Sequence, residues 1–167
     1  MTARIPNTGL SPDELLRFFI SHLNRIYCAK NQLVDKLPLL GERAHFVDLK
    51  EAMDETVDAV RLQIQRMNKI YVLLDDFYHP ESCVGLTGIL DEAFQSIGVP
   101  GDGPALRDLS ILFYMQHIES IESASFNVLL RVADRLAQPE IAQLLLESYD
   151  EAYEDRALFR AITENYL

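Results

Sequence analysis

The stretch SPDELLRFFISHLNRIYCAKNQLVDKLPLL, residues 11–40, decides the architecture of this chain. Ser11 stands where an N-cap is wanted, and Pro12 takes the first helical position, where a missing N–H is harmless. Glu14, three residues after Ser11, completes the sequence of a capping box. Leu16, Phe19, Leu23, Ile26, Leu33, Leu37 and Leu40 then recur at helical spacing, with position 30 filling the gap in the series. Steps of three and four make one apolar stripe, so the segment predicts an amphipathic helix to about Leu37, ended by Pro38 and Gly41. The residue at position 30 is lysine, where packing alone asks for leucine.

Outward from this helix the same period repeats. Leu49, Met53, Val57, Val60, Ile64, Met67, Tyr71 and Leu74 predict a second helix over about Phe46 to Leu74. His79-Pro80 marks a break, a short helix is expected from about Cys83 to Ile97, and GVPGDGP (98–104) closes it. A third long helix is expected from about Leu106 to Leu136 and a fourth from Pro139 to about Asn165. No stretch alternates as a half-buried strand does. Four long helices in two pairs, separated by an excursion that carries a short helix, describe an all-α four-helix bundle with a crossover. Residues 1–10 read as a flexible lead-in and residues 11–167 as one bundle domain, a length able to bury a substantial core.

Composition narrows the function. Against 15 Lys and Arg stand 26 Asp and Glu, a formal charge of -11. Phosphate recognition needs clustered cations, and no basic run exists, so nucleic acid and anionic membranes are not expected partners. No apolar run approaches the roughly 18 residues of a membrane span, and MTARIPNTGLSPDE lacks the apolar segment of a signal peptide. Cys28 and Cys83 have no CxxC partner, and each reads as a separate small buried hydrophobe in a reducing, cytoplasmic setting.

The informative residues are charges placed among hydrocarbon. On a helical wheel of the third long helix, Ile111, Tyr114, Met115, Ile118, Ile121, Phe126, Val128, Leu129 and Val132 form a broad apolar face, opposite Gln116, Ser120, Ser123, Asn127, Arg131 and Asp134. Glu122 falls near the centre of the apolar face and Glu119 one turn earlier near its edge. Lys30 interrupts the first helix's stripe. On the last helix, Asp155 and Arg156 flank the inward face formed by Ile141, Leu145, Ser148, Ala152, Phe159 and Ile162. An ionised carboxylate buried alone is costly, so these groups are expected to share one buried cluster. Glu147, Asp150, Glu151 and Glu154 read as a solvated acidic face. The four histidines (His22, His45, His79, His117) form no HxxxH or ExxH pair, so zinc ligation is not expected. GVPGDGP is a turn, not a phosphate-binding loop, since no Lys-Ser/Thr follows it.

With these residues in view, the chain resembles the YciE/YciF family of ferritin-like bacterial stress proteins from about Leu15 to Ile162. Tyr27 to Leu33 followed by Leu37-Pro38 resembles the family's YSAEKQL…LP. Gln63-Ile64-Gln65-Arg66 resembles QIER, and Cys83 to Ala93 resembles CxAMEGLIEEA. Gln116 to Glu122 resembles QKVEHYE, and Leu145 to Phe159 resembles LLKETLEEEKATDIKL.

The resemblance implies a ferritin-like four-helix bundle, a homodimer and a di-metal carboxylate site. Carried over residue by residue, Glu119 and Glu122 match the third-helix glutamates. Lys30 stands in place of the first-helix glutamate, Ala59 and Ala152 in place of two more, and Arg156 in place of an aspartate. Hard dications need several oxygen ligands, and two cations in that volume oppose one. The expectation is therefore a non-catalytic structural or interaction protein, stress-associated, without a cofactor. In it Lys30, Glu119, Glu122 and Arg156 would form a buried ionic cluster in place of the metal site. The alternative is an iron- or manganese-binding oxidoreductase or storage protein with a reduced site, using Glu119, Glu122, Asp155 and Asp58.

Overall fold

The capping box at the start of the first helix is formed. The Ser11 hydroxyl accepts from the Glu14 N–H at 3.2 Å, and the Glu14 carboxylate accepts from the Ser11 N–H at 2.8 Å. In the computed structural model, which describes residues 9–167, five helices follow in order. They are α1 (Pro12–Gly41), α2 (Val47–Leu73), α3 (Val84–Ile97), α4 (Pro104–Arg135) and α5 (Pro139–Tyr166), and no strand occurs among the described residues. The expected lead-in falls, for residues 1–8, outside the described residues. The four long helices form the bundle, with α1 against α2 and α4, and α5 against α2 and α4. The crossover from α2 to α4 carries α3, which packs on α4 and touches α1.

Helix ends follow local chemistry with one departure. α1 continues one turn past the expected stop and contains Pro38. Leu37 and Leu40 are both wholly buried, and their packing holds the turn that the proline alone would end. Two helices close without glycine. Asp75 (φ 52°) and Ala137 (φ 54°) adopt the left-handed conformation just beyond α2 and α4. The following N–H groups of Asp76 and Gln138 reach back to Tyr71 O and Ala133 O, both at 3.0 Å, as Schellman closures do. At the start of α2, the buried Asp108 carboxylate of α4 accepts from the His45 and Phe46 N–H groups at 2.7 and 2.6 Å. It thereby satisfies amides that no local side chain caps.

The core divides in two. One apolar cluster gathers Leu33, Leu37, Leu49, Met53, Ile111, Met115 and Phe159. The other gathers Phe19, Leu23, Met67, Phe126, Leu129 and Leu145. Lys30, Thr56, Gln63, Glu119, Glu122, Ser123 and Ser148 are also buried, and most come from the middle of their helices.

Two readings of the sequence are corrected here. The buried face of α4 is narrower and rotated from the expected one: Ser123 is buried, whereas Ile121 and Val128 are exposed. The seam runs through Ile111, Met115, Ile118, Glu122, Phe126, Leu129 and Ala133, so both glutamates lie within the buried face. Cys28 and Cys83 are not separate hydrophobes but a disulfide, their Cα atoms 6.0 Å apart. The crossover brings residue 83 back to the middle of α1, a contact that 55 residues of separation conceal from any local pattern.

Candidate functional site

Lys30 is wholly enclosed, because the regular seam of α1 carries its side chain into the bundle rather than to solvent. Its Nζ donates to Gln63 Oε1 of α2 and Glu122 Oε2 of α4. The ammonium also lies 5.1 Å from the centre of the Phe126 ring, whose face attracts a cation. Glu122 is 3% exposed, so the ion pair is formed almost entirely out of water. Burial of this kind leaves charge neutrality within the pair as the main requirement.

From this pair a hydrogen-bonded chain leads to the surface. Gln63 accepts from Lys30 through its oxygen and donates through Nε2 to Glu151 Oε2 at 3.2 Å. Arg66, one turn along α2, grips Glu151 with two hydrogen bonds of 2.7 Å and reaches Glu147 at 3.0 Å. Paired in this way, Glu147 and Glu151 are not part of a merely solvated acidic face, as the sequence alone suggests. The bidentate geometry ties α2 to α5 beside the buried pair.

Glu119, 1% exposed, has a different character. Burial pushes its carboxyl well above the ordinary carboxylate range, Glu122 pushes it the same way, and the charge of Lys30 opposes both. Glu119 Oε1, Glu122 Oε1 and Thr56 Oγ1 are buried without a hydrogen-bond partner. Asp155 of α5 is half-buried, and desolvation raises its carboxyl to about 6, ahead of smaller effects from Lys30, Glu122, Glu151 and Glu55.

The remaining residues named from sequence do not gather here. Arg156 is exposed and forms no part of a buried cluster. The inward series on α5 is Ser148, Ala152, Phe159 and Ile162, and its vacant step falls on Asp155. Arg156 is one residue on, turned about 100° away. Asp58 is also exposed and pairs with Arg61 at 2.8 Å on its own helix. Gln63 and Thr56 were not singled out as site residues. Gln63 shares the seam of α2 with Val60 and Met67, a polar residue in an apolar stripe just as Lys30 is.

This donor set does not fit a dication. The ammonium of Lys30 already sits on Glu122, and Asp58 faces solvent. Alanine occupies positions 59 and 152, and among the described residues no three His, Cys, Asp or Glu side chains are placed to hold a metal ion.

Comparisons with known proteins agree with the fold. Among curated proteins, none is similar enough in sequence to match the chain. The structure of the E. coli stress protein YciF superposes with a TM-score of 0.86 at 24% identity, covering 91% of this chain and 96% of that one. That of YcfI, a proposed structural protein from Rhodopseudomonas palustris, superposes with a TM-score of 0.83 at 20% identity, covering 94% and 98%. These likenesses establish the ferritin-like bundle. Residues 14–166 match the domain of unknown function DUF892, and the chain belongs to that family, of YciE/YciF type.

Proposed function

We propose that this chain is a non-catalytic, stress-associated structural or interaction protein. In it the ammonium of Lys30, held by Glu122 and Gln63, supplies the positive charge that a metal would supply in a di-metal bundle. The observation that carries this reading is the complete enclosure of Lys30 against Glu122. A buried pair of this kind seldom adds net stability over hydrocarbon, and its better attested use is to fix the register of packed helices. The names of the two structural neighbours, a stress protein and a proposed structural protein, accord with such a role.

The same reading includes a homodimer. Leu106, Phe113, Ile121 and Val128 lie seven or eight residues apart along α4, and each is two-fifths or more exposed. A stripe at that spacing suits a two-fold related helix better than it suits water. Light scattering after size exclusion tests it: the wild type should run as a dimer and Phe113→Glu with Val128→Glu as a folded monomer. A monomeric wild type removes the homodimer. Nucleic acid and membranes are not among the partners proposed. Among the described residues no helix is long and apolar enough to cross a membrane. A cytoplasmic location is part of the same proposal.

A second reading, iron or manganese binding at a reduced site, draws on the unpartnered Glu119 Oε1, Glu122 Oε1 and Thr56 Oγ1. One experiment separates the two. Untagged protein is equilibrated with Fe(II) or Mn(II), desalted and analysed for metal. Lys30→Glu with Ala59→Glu serves as the arm in which ligands are restored. The first reading expects metal in the double variant alone; stoichiometric metal in the wild type overturns it.

A further inference from the structure

The polar layer leaves the two cysteines without a role, yet they lie where the crossover is fastened to the bundle. Cys83 is the N-cap residue of α3, and Cys28 is in α1, two residues before Lys30. No side chain caps α3 by a hydrogen bond, and its first turns contain Gly85 and Gly88, poor helix formers. Val84 and Gly85 are exposed, and the first buried residue of α3 is Leu86. Upstream, the segment is held at its edge, where Glu81 accepts from Ser21 at 3.0 Å and Arg25 at 3.1 Å. The covalent link is thus the firmest attachment of the start of α3 to α1.

This link is also reachable. Both cysteines are half-buried, and Cys83 lines a solvent-open groove of about 580 Å³ between α1, α3 and α4. Ala29, Leu86 and Glu122 line the same groove, so its inner wall reaches the residue that holds Lys30. Its α4 wall includes Ile121 and Val128 of the proposed dimer stripe, so a thiol enters from the side of the exposed Ser82 and Gly85.

We infer that Cys28–Cys83 is a reversible redox site: a low-molecular-weight thiol cleaves it, and the start of α3 then comes away from α1 and opens the groove beside Glu122. A thiolate entering the groove attacks Sγ of Cys83, the Cys83–Cys28 bond breaks, and Cys28 leaves as its thiolate. A second thiolate attacks the sulfur of the incoming thiol in the mixed disulfide, forming the oxidised thiol dimer and freeing Cys83. Two thiols are oxidised by two electrons in all, and their two protons end on Cys28 and Cys83. In a reducing compartment disulfides are characteristically transient or redox-sensing, which suits a link that holds down one helix end rather than the whole core. The inference goes beyond the proposed function and stands whether or not Lys30 replaces a metal.

The experiment is hydrogen exchange by mass spectrometry on the full chain in three states: prepared without reductant, treated with reduced glutathione, and reoxidised with oxidised glutathione. Free thiols are counted in each state under denaturing conditions. On reduction, amides of residues 84–90 should exchange faster by between about tenfold and a thousandfold, the upper figure being the chain-entropy value of closing a loop of this length. Peptides from α2 and α5 should be unchanged, and reoxidation should restore protection. Cys28→Ser, untreated, should match the reduced wild type. Free thiols in the unreduced protein, equal exchange in both states, or faster exchange spread evenly over all five helices would each overturn the inference.

Discussion

Replacing Lys30 by methionine retains an unbranched side chain of similar length while removing the charge, so its effect reads the ion pair more than the packing. The side chain is wholly enclosed, and its ammonium is the only cation bonded to Glu122 among the described residues. Without it Glu122 remains 97% buried beside Glu119, with one oxygen already unpartnered, and Gln63 Oε1 loses its donor as well. Breaking a buried pair from one side costs about 3–5 kcal/mol. For a domain of this size that is a fall in Tm of roughly 6–20 °C. Lys50→Met, at an exposed position, should stay within about 0.5 kcal/mol of wild type. The assay is urea denaturation followed by circular dichroism, with Lys30→Met/Glu122→Leu closing a double-mutant cycle. Removing both charges should recover most of the loss, because the penalty lies in the unpaired carboxylate. If Lys30→Met and Lys50→Met lose the same small amount, Lys30 is not a buried counter-charge and the reasoning fails.

Further predictions concern single groups. Because the folded-state Glu119 carboxyl titrates above its ordinary range, its stabilising contribution is present at low pH and is lost as pH rises through the folded value. Glu119→Gln should therefore be more stable than wild type at neutral pH and less so, by comparison, in acid; urea midpoints across pH test it. Asp155 behaves alike between its ordinary 3.8 and about 6, so Asp155→Asn should flatten the decline of stability over that window in the same titration. Ala137→Gly relieves a left-handed φ of 54° at the end of α4 and should raise stability by about 1 kcal/mol, read as a higher urea midpoint. Asp108→Ala frees the His45 and Phe46 amides and should cost about 2 kcal/mol, with faster amide exchange at the start of α2.

The bundle was legible because its information is periodic. The stripe from Leu16 to Leu40 identifies a helix and its buried side at once, and Lys30 stands out only because that stripe is regular. Glu119 and Glu122 were legible for the same reason. What a wheel resolves poorly is direction within one residue. Asp155 and Arg156 both read as flanking the inward face, and the family resemblance carries Arg156 into the cluster; on a helix one position separates the seam from the solvent. The wide apolar face drawn for α4 includes Ile121 and Val128 because hydrophobicity does not distinguish a side chain buried within the chain from one left outside it. The bond from Lys30 to Gln63 and the disulfide both join distant segments, and no local spacing encodes them. Pro38 misleads in the other direction: its local signal is to stop, and the burial of Leu40 prevails.

Lys30 has one more consequence. A metal centre has an occupancy, set by supply, competition and chelation, and a bundle built around it exists in loaded and empty forms. A lysine is installed by translation at one per chain and can be neither withheld nor extracted. On the proposed reading, a bundle neutralised in this way would need no maturation step and no supply of scarce iron or manganese, and its midsection would hold the same charge in starved cells as in replete ones.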